Sequence, residues 1–214
     1  MKKFIIDITG SSGSGKTTAA KLVAKKYKFS IIFSGILFRY AAKILLEQKP
    51  KNQITFLKKK FLKLNYKKIQ KMNLHTPRVS TYTSVIAKKL EIRKIIKLFQ
   101  KNYVKKHKKV VIEGRDGHKI FPNADVKFYV VCLPLNIAAK RRWKQIKKKN
   151  KKISLKEVFK DLKKRDFMDR NRKHSKLERH PDSVYINTAK LNINNVRTKM
   201  TKIIDEAILE KYGN

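Results

Sequence analysis

The sequence predicts an α/β protein built on a parallel five-stranded sheet flanked by helices. Three observations predict it. Short apolar runs alternate with longer stretches of helical spacing, a glycine-rich loop separates the first run from the first helix, and the 214 residues suit one domain without internal repeats. Strands that alternate with helices in this way lie parallel, are covered on both faces, and gather ligands at their carboxyl ends.

Each element follows from a local pattern. Residues 3–9 (KFIIDIT) are apolar, rich in Ile and end at a glycine loop, so they read as a buried strand. Residues 16–28 place Ala19, Leu22, Val23 and Lys26/Tyr27 at helical spacing. FSIIFSG (29–35) reads as the second strand, and residues 36–48 as a helix stopped near Pro50. Residues 51–72 are lysine-rich with interspersed Phe, Leu and Ile, the pattern of an amphipathic helical insertion. A helical pattern runs from Ser80 to about Lys106, followed by the strand KKVVIEG and a fourth strand at residues 125–133. Residues 135–149 and 154–173 read as two charged helices around a lysine-rich turn. SVYIN (183–187) is the fifth strand, and a helix closes the chain.

The loop after the first strand carries the chemistry. Gly10-Ser11-Ser12-Gly13-Ser14-Gly15-Lys16-Thr17, followed by Thr18, matches G-x-x-x-x-G-K-[ST] at every position, between a predicted strand and a predicted helix. Small residues let the backbone N–H groups and the helix N-terminus wrap a polyphosphate. Lys16 is then placed for the β and γ phosphates, and the Thr17 hydroxyl for Mg²⁺. No N-K-x-D tetrapeptide occurs to read a guanine base, and only Glu113, closing VVIE, resembles the acid of a motor ATPase. A small ATP-dependent kinase fits best.

Arginine clusters supply the rest: Ser34-Gly35-Ile36-Leu37-Phe38-Arg39, Glu113-Gly114-Arg115-Asp116, and the run from Arg165 to Arg172. Arg offers a planar fork for phosphate and carboxylate. Arg165, Asp169 and Arg172, spaced i, i+4 and i+7, fall on one face of a predicted helix. Phosphoryl transfer between two anionic substrates needs repulsion neutralised and oxygens aligned more than it needs proton chemistry.

The order of these motifs, with F-P-N-A after E-G-R-D and R-D-F-M-D-R-N-R near the end, resembles the bacterial cytidylate kinases over nearly the whole chain. The resemblance implies the nucleoside monophosphate kinase fold with a helical lid and a short insertion. It implies one kinase domain made of core 1–49, a monophosphate-binding insertion at about 50–92, core 93–140, a lid at about 141–175 and core 176–214. It implies CMP binding by Ser34, Arg39, Ser84, Arg93, Arg115, Asp116, Arg165, Asp169 and Arg172, with catalytic roles for Lys16, Arg165 and Arg172. Arg141 joins the ATP-binding set, and Arg141 and Arg142 resemble the start of the lid. A carboxylate at Asp116 beside a donor such as Arg93 complements cytosine, which presents an exocyclic amine next to acceptors. The chain departs from the family pattern at Phe33, where aspartate is usual, at Phe38, where tyrosine is usual, and between G-R-D and F-P, where the family usually has one more residue.

The expected reaction is transfer of the ATP γ-phosphoryl group to CMP or dCMP with Mg²⁺. Two alternatives stay open: a kinase for another small acceptor, such as a different nucleotide or shikimate, and an RNA-associated protein with a phosphate loop. The formal charge of +41 would suit nucleic acid. The 45 Lys, however, spread from residue 2 to residue 211, the distribution of a solvated surface. The five His are scattered without metal-ligand spacing and read as surface residues. No run approaches the roughly 18 apolar residues that a membrane span needs. The opening MKKFIIDITG is interrupted by Asp7 and the glycine loop before it can form an apolar signal core. Cys132, the lone cysteine, has no disulfide partner and reads as core packing. A cytoplasmic monomer is expected.

Overall fold

Alternation of β-branched runs with amphipathic segments is realised as fifteen elements among the described residues, 2–148 and 151–213 of a computed structural model. In chain order these are β1 (Phe4–Gly10), α1 (Lys16–Lys26), β2 (Ser30–Phe33), α2 (Ser34–Gln48), α3 (Gln53–Leu62), α4 (Tyr66–Gln70), α5 (Pro77–Ile86), α6 (Leu90–Lys106), β3 (Lys109–Gly114), α7 (Gly117–Ile120), β4 (Val126–Val131), α8 (Leu135–Lys147), α9 (Leu155–Asn171), β5 (Val184–Asn187) and α10 (Ile193–Tyr212). The strands form one parallel sheet in the order β2-β3-β1-β4-β5. Phe4, Ile6 and Ile8 on one face of central β1 and Asp7 and Thr9 on the other are buried, as a strand covered on both faces requires. The strand order reverses beside β1, which makes its carboxyl end the topological switch point where such sheets bind ligands.

The chain divides into two compact units, Met1–Ile31 with Lys109–Asn214, and Ile32–Lys108. In the first, α1 packs on β3 and α10, and α8 packs on α9. A small core of Cys132, Ala138, Ala139, Val158 and Leu162 joins those last two helices, with Trp143 and Phe159 packed against it. Cys132 is thus a core residue, as expected. The second unit is helical: α2 packs on α4, α5 and α6, and α3 on α6.

Capping side chains fix many boundaries. Asn52, Asn65, Thr76 and Asn192 each accept a backbone N–H at a helix start, and Ser154 with Glu157 forms a reciprocal capping box. The lysine-rich segment 51–72 becomes two helices, α3 and α4, each burying two apolar residues. The continuous helix expected over 80–106 is instead two, broken at Ala87–Lys89. Ser34 and Gly35, read as the end of a strand, open α2. The short α7 carried no periodic signal. Lys149, the last residue of the helix expected over 135–149, and Asn150 of the lysine-rich turn after it lie outside the described residues.

Candidate active site

β1 delivers the chain to the glycine loop, whose shape depends on where glycine stands. A Cβ on Gly10 would lie 1.9 Å from the Val130 carbonyl oxygen on β4, and the next amide, Ser11 N–H, donates to that oxygen at 3.1 Å. Gly13 and Gly15 have φ of 71° and 81°, left-handed values that other residues adopt only with strain. Thr188, just after β5, donates its hydroxyl to Ser14 O at 3.0 Å and so braces the loop. Ser11, Ser12, Ser14 and Lys16 are buried, while Thr17 and Thr18 are exposed on the first turn of α1.

The Lys16 ammonium donates to Ser11 O at 2.9 Å and stands 3.7 Å from Glu113 Oε1 at the end of β3. Burial brings its pKa down to about 7, helped by Arg115 and opposed by Glu113. A lysine in this state gains charge when an anion arrives.

Arg115, two residues beyond Glu113, donates from Nε to Asp169 Oδ2 at 2.8 Å and from a terminal nitrogen to Ser12 Oγ at 3.1 Å. It therefore joins the loop to α9. Burial alone would raise the Asp169 carboxyl, but Arg115 and then Arg172 outweigh it and hold the group below its usual range. Arg172 donates to Asp169 Oδ1 at 3.3 Å and to Ser175 O at 2.5 Å. α9 was expected to run to 173, yet it ends at Asn171, and Arg172 has extended backbone as its C-cap. Arg172 thus meets Asp169 from beyond the helix and not from its surface. Arg165, earlier on α9, pairs loosely with Asp161 at 3.9 Å. Arg141 on α8 donates to Thr188 Oγ1 at 3.3 Å and to the Ala189 and Leu191 carbonyls, which ties its guanidinium to the segment after β5.

Asp166 carried no assignment in the sequence, yet its carboxylate accepts the Ser12 backbone N–H at 2.7 Å. Asp7, on β1, is 1% exposed and accepts the Thr9 hydroxyl. Burial, reinforced by the charge of Asp116, pushes its pKa up to about 8. His118 corrects the expectation of five surface histidines: it is buried, and burial with Lys119 and His180 nearby lowers its pKa.

The second unit places the remaining candidates. Ser34 opens α2, buried, its hydroxyl accepting from Gln100 at 2.8 Å. Arg39 donates to Ser80 Oγ at 2.7 Å. Ser84, on α5, donates to Thr81 O at 2.7 Å. Arg93, on α6, donates to Ala87 O at 2.9 Å across the helix break, its guanidinium 5.2 Å above the Phe38 ring.

For a divalent cation, the exposed Thr17 hydroxyl and the Glu113 carboxylate are hard oxygen donors, a set that fits Mg²⁺. Among the described residues no group of three or more His, Cys, Asp or Glu is placed to hold a metal ion, so the other ligands would be phosphate oxygens and water.

A parallel sheet whose central strand feeds a complete glycine-lysine-threonine loop into a helix, with an arginine bound to that loop, defines a phosphate-loop kinase. The cytidylate kinase family model matches residues 6–206. Curated cytidylate kinases from Clostridium tetani (32% identical, 99% of this chain, 98% of the relative), Fervidobacterium nodosum (33%, 94% and 96%) and Fusobacterium nucleatum (33%, 96% and 99%) align almost end to end. The chain belongs to the cytidylate kinase family. A crystal structure of an uncharacterized protein from Eubacterium ventriosum shares the fold, with a TM-score of 0.50 at 16% identity over 96% of this chain and 99% of that one.

Proposed function

We propose that this protein phosphorylates CMP and dCMP with ATP, by direct in-line transfer and without a covalent intermediate. The observation that carries the reading is the Ser12–Arg115–Asp169–Arg172 network beside the buried Lys16. It gathers cationic groups and a loop of backbone donors where phosphoryl charge is spread over several oxygens.

In this reading Gly10 to Thr18 hold the ATP phosphates, Lys16 neutralises charge between the β and γ positions, and Thr17 would hold a Mg²⁺ ion, which would offset further phosphate charge. Arg165 and Arg172 stabilise the transferring group. Ser34 and Arg39 bind the nucleoside monophosphate, Arg115 takes its phosphate, Arg165 and Asp169 the ribose side, and Ser84, Arg93 and Asp116 the cytosine. Arg141 serves the ATP side from its anchorage after β5. The segment at about 50–92 is the monophosphate-binding insertion, and that at about 141–175 the lid that keeps water out. The protein acts as a cytoplasmic monomer, with its lysines as solvated surface.

The test is ADP production from Mg-ATP with CMP, dCMP, UMP, AMP and GMP offered separately, beside an Arg165→Ala control. Turnover confined to CMP and dCMP, falling roughly 10²-fold or more in the variant, is the expected result. Equal use of purine acceptors, or turnover only with a non-nucleotide acceptor, would overturn the assignment.

A further inference from the structure

A buried hydrogen-bond chain ties β1 to the turn that carries Asp116. The Thr9 hydroxyl stands 3.1 Å from both Asp7 carboxylate oxygens and donates to them. The same Thr9 oxygen accepts the Gly117 N–H at 3.3 Å, and the backbone N–H of His118 donates to the Asp7 carboxyl. Two successive amides just after β3 are therefore taken up by two side chains of β1. The approach is so close that a Cβ on Gly117 would lie 1.9 Å from Asp7 Oδ1.

A carboxyl is a costly group for this place. Asp7 is buried in a strand of Ile and Phe, and Asp116 adds like-charge repulsion. An apolar residue would pack the strand at lower cost, but it would leave the His118 amide and the Thr9 hydroxyl without their acceptor. What the carboxyl supplies is the placement of one short turn. The residue that turn presents is Asp116, itself buried, with φ −146° and ψ 28°.

We propose that Asp7 is a positioning residue for acceptor recognition: together with Thr9 it fixes the Gly117–His118 backbone and thereby the aim of the Asp116 carboxylate at the exocyclic amine of the acceptor base. The inference rests on the reading of Asp116 as a cytosine contact. Asp7 itself touches no substrate.

The test is a double-mutant cycle of Asp7→Ala and Gly117→Ala, read as KM and kcat for CMP at saturating ATP and for ATP at saturating CMP, with Tm followed in parallel. In the parent chain Gly117→Ala raises KM for CMP roughly 10-fold or more, since displacements of about an ångström at a reacting constellation cost up to about 10²-fold. KM for ATP stays within about 2-fold, the scatter expected of a site that is not coupled. In the Asp7→Ala background the same step adds less than about 2-fold, because the oxygen that the new Cβ would meet is gone. Asp7→Asn, which keeps one acceptor oxygen, lies closer to the parent than Asp7→Ala and keeps the inference testable if Gly117→Ala does not fold. Equal Gly117→Ala steps in both backgrounds, parallel rises in both KM values, or a lowered Tm with KM for CMP unchanged would each overturn the positioning role. A parent chain that turns over other acceptors but not CMP overturns the reading of Asp116, and the inference falls with it.

Discussion

At the scale of single residues, two buried groups titrate far from their ordinary ranges. Lys16, brought down to about 7 chiefly by burial, is only partly charged near neutrality. A polyphosphate beside it favours the ammonium, so ATP binding near pH 7 should take up about half a proton. Calorimetry in buffers of different ionisation enthalpy measures this directly, and uptake indistinguishable from zero would contradict the assignment. Asp7 moves the opposite way, from 3.8 to about 8. Its folded-state pKa lies above the unfolded one, so the folded state holds the proton more tightly. The contribution is fully present below pH 4 and is lost as pH rises from 4 to 8, at up to about 1.4 kcal/mol per unit. Lys127, which favours the charged form, moderates it, as do the hydrogen bonds from Thr9 and His118. Asp7→Asn should flatten that slope in chemical denaturation across this range. Neither shift was legible in the sequence, because it depends on burial and on neighbours far along the chain.

At the scale of elements, boundaries were readable where a capping side chain stands next to a periodic run, and unreadable where a tertiary bond decides. Ser154 and Glu157 close a capping box at the start of α9. Ser154→Ala should cost about 1 kcal/mol of stability, measured by denaturant unfolding, with ATP binding unchanged. The break between α5 and α6 carries neither Gly nor Pro. Its residues still satisfy a helical pattern, and Arg93 seals it by reaching the Ala87 carbonyl. The same limitation hid Asp166. It lies inside the arginine-rich run, and only the folded chain shows its carboxylate on an amide of the loop that the proposed function assigns to phosphate. Removing that competing carboxylate with Asp166→Ala should tighten ATP binding by about 5-fold, the worth of roughly one net hydrogen bond. Weaker binding in the variant would show that Asp166 serves to hold the loop in shape.

At the scale of the whole molecule, 56 basic residues face 15 acidic ones. Self-repulsion of a net +41 opposes compaction, and added salt screens it, the Debye length shrinking from about 10 Å at 0.1 M to about 3 Å at 1 M. Tm should therefore rise with sodium chloride over that range, where a protein stabilised mainly by surface ion pairs would lose stability. Differential scanning fluorimetry at fixed pH distinguishes the two.

The sequence by itself determined the alternation of strands and helices, the glycine loop with Lys16 and Thr17, and the arginine-bearing runs. Each of these is written within a few consecutive residues, where apolar periodicity, glycine and charge act locally. Only the tertiary structure decided which groups meet. Ser12 and Asp166 are 154 residues apart, Ser14 and Thr188 are 174 apart, and Thr9 and Gly117 are 108 apart. Contacts across such distances are set by the parallel sheet, which brings the carboxyl ends of remote strands together, and no local propensity encodes them.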